Sequence, residues 1–301
     1  MAGSEEIHVV AGALRDSAGR ILIAQRPRGR HMAGRWEFPG GKLSAGEDAL
    51  DGLRRELAEE LGVAVQEARP LIRLRHEYPD RRVLLDVWQV TRYEGEPRSL
   101  DQQALAWVLP DDLPRQDLLE ADRGIVTALR LPRIARVLDD PAELAALAGS
   151  VPQAVFWPLP ESGEDGPERE AVRAARASGH RVFVLGDGFE VVRAAAAAGC
   201  DGAVLHWHGQ QLLVDQTGEF LVGVHCEDIK GALEAVSEGA HFLVLAPTDS
   251  YVSERYLRLL CERAGVPVFS GWHPDARKLE RLQRAGAHGC AIKRNKGDAS
   301  N

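Results

Sequence analysis

The 301-residue chain is short of several things, and each shortage excludes a class of protein. Cysteine is scarce: Cys200, Cys226, Cys261 and Cys290 are the whole complement, and no two stand at CxxC spacing. That argues against a disulfide scaffold or a cysteine zinc module and suits reduced thiols in the cytosol. No apolar run approaches the roughly 20 residues that a bilayer-spanning helix needs. The opening residues, MAGSEEIHVVAGAL, place no basic flank before their apolar stretch, so no signal peptide is read and a cytoplasmic location is expected. Positive charge is also in deficit: 37 Lys and Arg face 45 Asp and Glu, a net charge of −8. No direct DNA binding and no membrane contact are expected from such a balance. What is present is an ordinary globular composition, 45% hydrophobic and 27% charged. Anions would be handled at a local site with the help of a metal. Nothing in the pattern specifies an oligomeric state.

The length exceeds one average domain, and the chain has two rhythms. Residues 1–130 read as strand-rich with one strong helix. IHVVAGALR (7–15) and RILIAQR (20–26) flank the turn Asp16-Ser17-Ala18-Gly19, which predicts a hairpin. Residues 48–61 predict an amphipathic helix with Leu50, Leu53, Leu57 and Leu61 on one stripe and Gly62 at its end. RPLIRLRHEY, RRVLLDVWQVTRYEG and ALAWVLP (104–110) read as further strands, and 120–130 as a short helix. From Leu131-Pro132 onward, short apolar strands alternate with helices. Eight candidate strands begin at Arg133, Ala154, Arg181, Gly202, Phe220, His241, Val266 and Gly289. Helical stretches fall at 168–178, 190–198, 229–238, 253–264 and 276–285. This rhythm predicts a compact (β/α)8 TIM-type barrel over residues 131–301, with an open doubly wound sheet as the alternative.

The chemistry concentrates in GKLSAGEDALDGLRRELAEELGV (41–63). Glu56, Glu59 and Glu60 stand at i, i+3 and i+4 and so share one helical face. Crowded carboxylates repel one another unless a hard cation sits among them, and oxygen donors suit Mg2+ or Mn2+. Glu47 lies one loop upstream, where Arg55 can pair with it and fix the loop against the helix. Gly40-Gly41 permits a tight turn that leaves a backbone carbonyl free to face the metal. A solvated acidic face would be the ordinary reading of ELAEE alone. The full spacing is Gx5Ex7REUxEExGU with U aliphatic, and every fixed position is filled.

That pattern is the Nudix box, and the chain resembles the Nudix hydrolases. AQRPRGRHMAGRWEFPGGK (24–42), HEYPDR (76–81) and YEGEP (93–97) are similar to the MutT branch, which hydrolyses oxidised guanine nucleoside triphosphates, chiefly 8-oxo-dGTP. The resemblance covers roughly residues 5–130. It implies a Nudix α/β/α sandwich with a mixed sheet and an 8-oxo-dGTP diphosphatase of nucleotide-pool sanitation. It further implies that the Gly40 carbonyl, Glu56, Glu59, Glu60 and Asp101 hold Mg2+, with Mn2+ possible. Asp101 stands where MutT proteins have a glutamate, one methylene longer. Arg26, His31 and Arg81 match positions that contact the nucleotide, and Phe38 lies where the base pocket begins. Asp122 takes the place of an asparagine that reads the oxidised purine. A protonated Asp122 could donate to O6, and burial favours that form. The implied reaction is metal-assisted attack of water on the β-phosphorus of a nucleoside triphosphate, releasing pyrophosphate. The base is a carboxylate of the cluster or Asp101, with Glu56 the first choice.

The second half resembles, more loosely, thiamine-phosphate synthase and its TenI-like relatives, through RIARVLDDPAEL, CDGAVLHW, FLVGVHCED, AHFLVLAPT, VPVFSG and AGAHGCAI. The departures are at the family's functional positions. Phe156-Trp157-Pro158-Leu159-Pro160 replaces a Gln-Leu-Arg-x-Lys run, Gly186-Asp187 replaces Asn-Asp, His225 replaces a serine, and Trp272 follows Gly271 where a glycine pair is usual. Asp187 and Lys293 could retain a metal and a phosphate role, or be solvated strand-end residues. His206 and His208 fall on one side of a strand near His225 and Cys226, but no carboxylate or cysteine completes a spaced metal motif. The reading is therefore a degenerate, non-catalytic barrel fused to a Nudix hydrolase. The alternatives are an active thiamine-phosphate synthase, or a Nudix hydrolase acting on a thiamine-related diphosphate. A catalytically idle Nudix scaffold, the binding-class reading, leaves three crowded carboxylates without a purpose.

Overall fold

The structure is a computed structural model that describes residues 6–29, 31–79, 81–140, 142–147, 150–158, 167–212, 214, 218–245, 254–270, 282–283 and 285–293. The chain divides into two compact units, Met1–Arg130 with Cys261–Gly265, and Leu131–Leu260 with Val266–Asn301.

The first unit is built on two sheets. Strands β1 (Glu6–Leu14), β2 (Ile21–Gln25), β3 (Trp36–Glu37) and β4 (Gly40–Lys42) precede helix α1 (Ala49–Leu61), and β5 (Ala64–Glu77), β6 (Arg82–Glu94) and β7 (Leu105–Val108) follow it. One sheet has the order β4-β1-β6-β5 and is mixed: β1 runs parallel to β6 and antiparallel to β4. The other has the order β3-β2-β7. The turn predicted at 16–19 is present, with Asp16 Oδ1 accepting the backbone N–H groups of Ala18 and Arg20. The predicted hairpin is not. Beyond the single bridge Arg15–Ile21 the two strands enter different sheets. The reason is burial: residues 10–14 of β1 and 21–24 of β2 are all buried, so both faces of each strand are covered. A two-stranded hairpin cannot cover both faces.

Helix α1 begins where Asp48 caps it, accepting the Leu50 N–H at 2.9 Å. It ends at Gly62, whose φ of 69° is the left-handed C-cap conformation. Leu53, Leu57 and Leu61 are sealed against Val10, Leu14, Leu22 and Val90, so the opposite, acidic face points away from this core. A 3-10 turn at Glu120–Asp122 leads into α2 (Arg123–Arg130).

The second unit holds a closed barrel of eight strands, all paired in parallel. They are β8 (Ile134–Val137), β9 (Ala154–Pro158), β10 (Arg181–Gly186), β11 (Gly202–His206), β12 (Leu221–Cys226), β13 (Phe242–Leu245), β14 (Val268–Ser270) and β15 (Gly289–Lys293), with β15 returning to β8. Helices α3 (Ala142–Ala145), α4 (Pro167–Ala177), α5 (Gly188–Ala197), α6 (Ile229–Ser237) and α7 (Glu254–Ala264) follow β8, β9, β10, β12 and β13. Among the described residues no helix joins β11 to β12, so the barrel is closed without showing the full (β/α)8 repeat. Most of the helix expected at 276–285 lies outside the described residues, as do Ala246, Leu159, Pro160, Gly271, Trp272 and the side chain of Lys293. No helix among the described residues is long and apolar enough to cross a membrane.

Four rings plug the barrel. Phe156, Phe183, Phe242 and Phe269 are fully buried, with neighbouring centroids 5.2–6.2 Å apart. Gly223 on β12 makes room for them, since a Cβ there would lie 2.2 Å from the Phe242 ring. All four cysteines are buried free thiols, and burial pushes Cys200 and Cys226 up to about 12, which leaves them unreactive. Because Phe156 touches the other three rings, Phe156→Ala removes the hub of the plug. It should cost about 3–5 kcal/mol, read as a lower midpoint of the barrel transition in urea.

Candidate active site

The site is assembled by the loop between β4 and α1 closing on the acidic face of the helix. Arg55 is its bracket. Its Nε donates to Glu47 Oε1 at 2.8 Å and its Nη2 to Glu47 Oε2 at 2.9 Å, a two-pronged pair. The same guanidinium reaches the Lys42 carbonyl at 3.1 Å, Glu56 Oε1 at 2.7 Å and Glu59 Oε2 at 3.4 Å. Glu47 also accepts the Ser44 N–H, and with Arg55 this holds its carboxyl down at about 2. Arg55 is raised in turn, chiefly by its bonds to Glu47 and Glu56.

Two glycines admit the helix. Gly40 adopts φ +149°, and a Cβ there would lie 2.1 Å from the Val10 carbonyl oxygen. Its N–H donates to Glu60 Oε2 at 3.0 Å. A Cβ on Gly41 would sit 2.2 Å from Glu56 Oε2, so the bare backbone is the cradle in which that carboxylate lies.

Glu60 is the carboxylate of the helix with the perturbed titration. Its titration is raised to about 7, first by burial and then by the charges of Glu56, Glu37 and Asp101, while the Gly40 N–H opposes the shift. These carboxylates therefore repel one another in a partly desolvated cleft. All donors are oxygen, which fits a hard divalent cation. As they stand, Glu56 and Glu59 turn to Arg55, and among the described residues no three His, Cys, Asp or Glu side chains form a ready-made metal cage. Asp101 lies on an exposed loop and reaches the cluster through its field on Glu60.

The remaining residues singled out in the sequence gather around Tyr78 and Glu37. Arg26 donates from Nε to the His31 carbonyl at 2.9 Å and makes a close ion pair with Glu37. The exposed His31 ring stands edge-on to Tyr78, with centroids 6.3 Å apart. Arg81 closes the β5–β6 turn by accepting the Tyr78 N–H at its carbonyl. Phe38 does not present an exposed ring: it is 4% exposed and packs with Ile23, Val87 and Ile125. Its backbone N–H bonds to Asp122. Asp122 is itself buried, its Oδ2 has no hydrogen-bond partner among the described residues, and its titration is pushed well up, first by burial and then by Glu37. Burial therefore favours its protonated form.

Glu37 and Tyr78 were not legible as site residues. Glu37 stands between Arg26, Asp122 and Glu60 and acts on all three. Its only sequence signal is a charge inside an otherwise apolar strand-turn run, Trp36-Glu37-Phe38-Pro39.

Residues 10–128 match the NUDIX domain family. The chain is 33% identical to 8-oxo-dGTP diphosphatase of Escherichia coli over 126 residues, which is 42% of this chain and 98% of that protein. It is 41% identical to 8-oxo-dGTP diphosphatase of Proteus vulgaris over 96 residues, 32% of this chain and 86% of that one. It is also 36% identical to CTP pyrophosphohydrolase of Escherichia coli over 133 residues, 44% of this chain and 98% of that one.

The Glu60 shift yields a stability prediction. A carboxyl raised in the folded state keeps its proton while the unfolded chain loses it. Stability therefore falls as pH rises from about 4.5 to about 7, and the penalty is complete above that. In metal-free protein Glu60→Gln should be more stable than wild type at pH 8 by on the order of 2–3 kcal/mol, and equal to it at pH 4. Urea denaturation at the two pH values reads the difference.

Proposed function

The chain belongs to the Nudix hydrolases, and from that premise we propose that it is a Mg2+-dependent nucleoside triphosphate pyrophosphohydrolase whose preferred substrate is 8-oxo-dGTP. The observation that carries this reading is the complete box folded onto one helix face. There Arg55 ties Glu47 to Glu56, and Glu60 is crowded by three other carboxylates. Two relatives matched over most of their own length are 8-oxo-dGTP diphosphatases, which supports the substrate.

The residues divide the work. Glu56, Glu59, Glu60, the Gly40 carbonyl and Asp101 would hold the cation, and Mn2+ would serve as well. When bound, the ion neutralises the polyphosphate and favours attack at phosphorus. Arg55 and Glu47 keep the loop and helix in register, so that the Glu56 carboxylate stays in the cradle over Gly41. Glu56 takes the proton of the water attacking the β-phosphorus, and pyrophosphate and the nucleoside monophosphate leave. Arg26, His31 and Arg81 bind the nucleotide's anionic part.

Base choice falls to Asp122. In the protonated form that burial favours, its carboxyl has one donor and one acceptor, and among the described residues no protein group hydrogen-bonds to Oδ2. That pair suits a 6-oxo purine edge. Phe38 supports it from the core side through its backbone N–H. The CTP pyrophosphohydrolase likeness favours a second reading, a pyrimidine nucleoside triphosphate in the same site.

The barrel is read as a non-catalytic ligand-binding or packing module, with residues 1–130 as the hydrolase domain and 131–301 as the barrel domain. Phe156 and Trp157 stand where the thiamine-phosphate synthase family carries a polar, cationic run. Both are fully buried, which speaks against that activity.

The test is pyrophosphate release with Mg2+ from 8-oxo-dGTP, dGTP and CTP. The ratio of kcat/KM values should favour the oxidised base, and Glu59→Gln should lower turnover by roughly a hundredfold or more. Absence of turnover on all three would sink the proposal, and preference for CTP would replace the substrate. Asp122→Asn should keep the preference for the oxidised base. Asp122→Leu should reduce it by roughly tenfold or more, the worth of a lost hydrogen bond in a buried pocket.

A further inference from the structure

A group of hydrogen-bond donors lies at one end of the mixed sheet of the first unit, apart from the cleft described above. Ala13 on β1, Gln89 on β6 and Arg69 on β5 stand side by side in register. Ala11 and Ala13 of β1 share a core cluster with Leu85 and Val87 of β6. Strand alternation therefore puts Gln89 on that face, and Arg15 too, one residue past the end of β1. Gln89 is 6% exposed, whereas Arg15 and Arg69 reach solvent. Gly40 pairs with Ala11, four residues before Arg15, which is about 13 Å of strand at roughly 3.3 Å per residue.

The group has donors and positive charge but no carboxylate. Arg69 Nε and Nη2 both donate to the amide oxygen of Gln89, at 3.1 and 2.9 Å, a two-pronged contact that a carboxylate ordinarily receives. Arg15 Nε reaches the Gly19 carbonyl at 3.4 Å. Its neighbour Asp16 is already taken, by the Arg20 guanidinium at 2.7 Å and by the backbone N–H groups of Ala18 and Arg20. Among the described residues no acid pairs with Arg15 or Arg69. The Arg69 guanidinium is lowered, first by burial and then by the charge of Arg15, so two like charges meet where water is partly excluded. Because the Gln89 oxygen faces Arg69, its amide N–H groups are what it has left to offer, and among the described residues they meet no acceptor. A polar group buried to more than nine-tenths ordinarily has its bonds filled.

We propose that Arg15, Arg69 and Gln89 form an oxyanion site that takes a phosphate group, separate from the catalytic cleft. A tetrahedral oxyanion has enough acceptors for both guanidinium forks and for the amide, and it supplies the negative charge that the chain itself withholds there. The neutral amide is the informative residue. A glutamate in its place would neutralise Arg69 from within, whereas glutamine holds the guanidinium in position and leaves its charge to an incoming ligand. Two sources carry this chemistry: inorganic phosphate, and the pyrophosphate that the hydrolase would release. The second source rests on the function proposed above; the site does not.

The test titrates the full chain with inorganic phosphate and, separately, with pyrophosphate. Calorimetry is run without divalent cations and at constant ionic strength set by chloride, so that general screening is held fixed. Arg15→Ala and Arg69→Ala should each weaken binding at least about tenfold, the worth of a hydrogen bond to a charged group. Gln89→Glu keeps the shape and places a carboxylate against Arg69. It should abolish binding of both anions and raise the urea midpoint at pH 7. Pyrophosphate release by the Nudix site, assayed in phosphate-free buffer, should be unchanged in all three variants. Tighter binding of pyrophosphate than of phosphate would support the site with the product as its occupant; equal or weaker binding would support it with the free ion. A wild type that binds neither anion in preference to chloride would overturn the site. So would Gln89→Glu, or either arginine variant, binding as tightly as the wild type.

Discussion

Everything in the first unit is arranged around the mutual repulsion of carboxylates on one face of α1. Glu56, Glu59 and Glu60 share that face, and Glu37 and Asp101 add their fields from outside it. Left alone, such a group would splay or take up protons. The protein answers with one guanidinium. Arg55 binds Glu47 with both prongs and touches Glu56 and Glu59, so the loop from β4 is fastened to the helix by charge-assisted bonds. Glu60 is left as the unneutralised member, its titration raised first by burial and then by the charges of Glu56, Glu37 and Asp101. A cation is the natural resolution, and the oxygen-only donor set states which kind.

The supporting structure follows from holding that helix in place. Its leucine stripe is sealed into the core beneath, which aims the glutamates at the loop. Gly40 and Gly41 are bare because the Val10 carbonyl and the Glu56 carboxylate occupy the space that side chains would need. Gly52 makes the same kind of room near the start of the helix, where a Cβ would meet the Leu43 side chain at 2.1 Å. Strand β1 lies between β4 and β6, so the glycine turn is carried by the same sheet as β6 and β5. The barrel expresses a different principle: four phenylalanine rings fill its centre, and its polar side chains collect at the strand ends.

Much of this was legible in order along the chain. The box helix, with Asp48 before it and Gly62 after it, is local: an amphipathic stripe, a cap and a glycine stop. The barrel strands were legible because a parallel strand buried on both faces is a short apolar run between polar stretches. The pairing of strands was less so. The turn at 16–19 carries a hairpin signature and does form, yet β1 and β2 diverge, because partner choice is decided by which faces must be covered. Phe38 shows the same limit: an aromatic residue beside a site has one composition whether it faces the pocket or the core, and here it faces the core.

What the sequence by itself determined is the chemistry that depends on spacing: three glutamates at i, i+3 and i+4, the glutamate that Arg55 ties down, and the glycines that let them meet. A helix turns every 3.6 residues whatever surrounds it, so spacing alone assigns them to one face. The juxtapositions across elements arise only when the chain has folded. Glu37 joins Arg26 to Asp122, and burial favours the protonated form of Asp122. Asp187, just past β10, meets both His206 and His208 with one carboxylate oxygen. Charges separated along the chain interact by distance in space, and that distance exists only once the sheet and the barrel have closed.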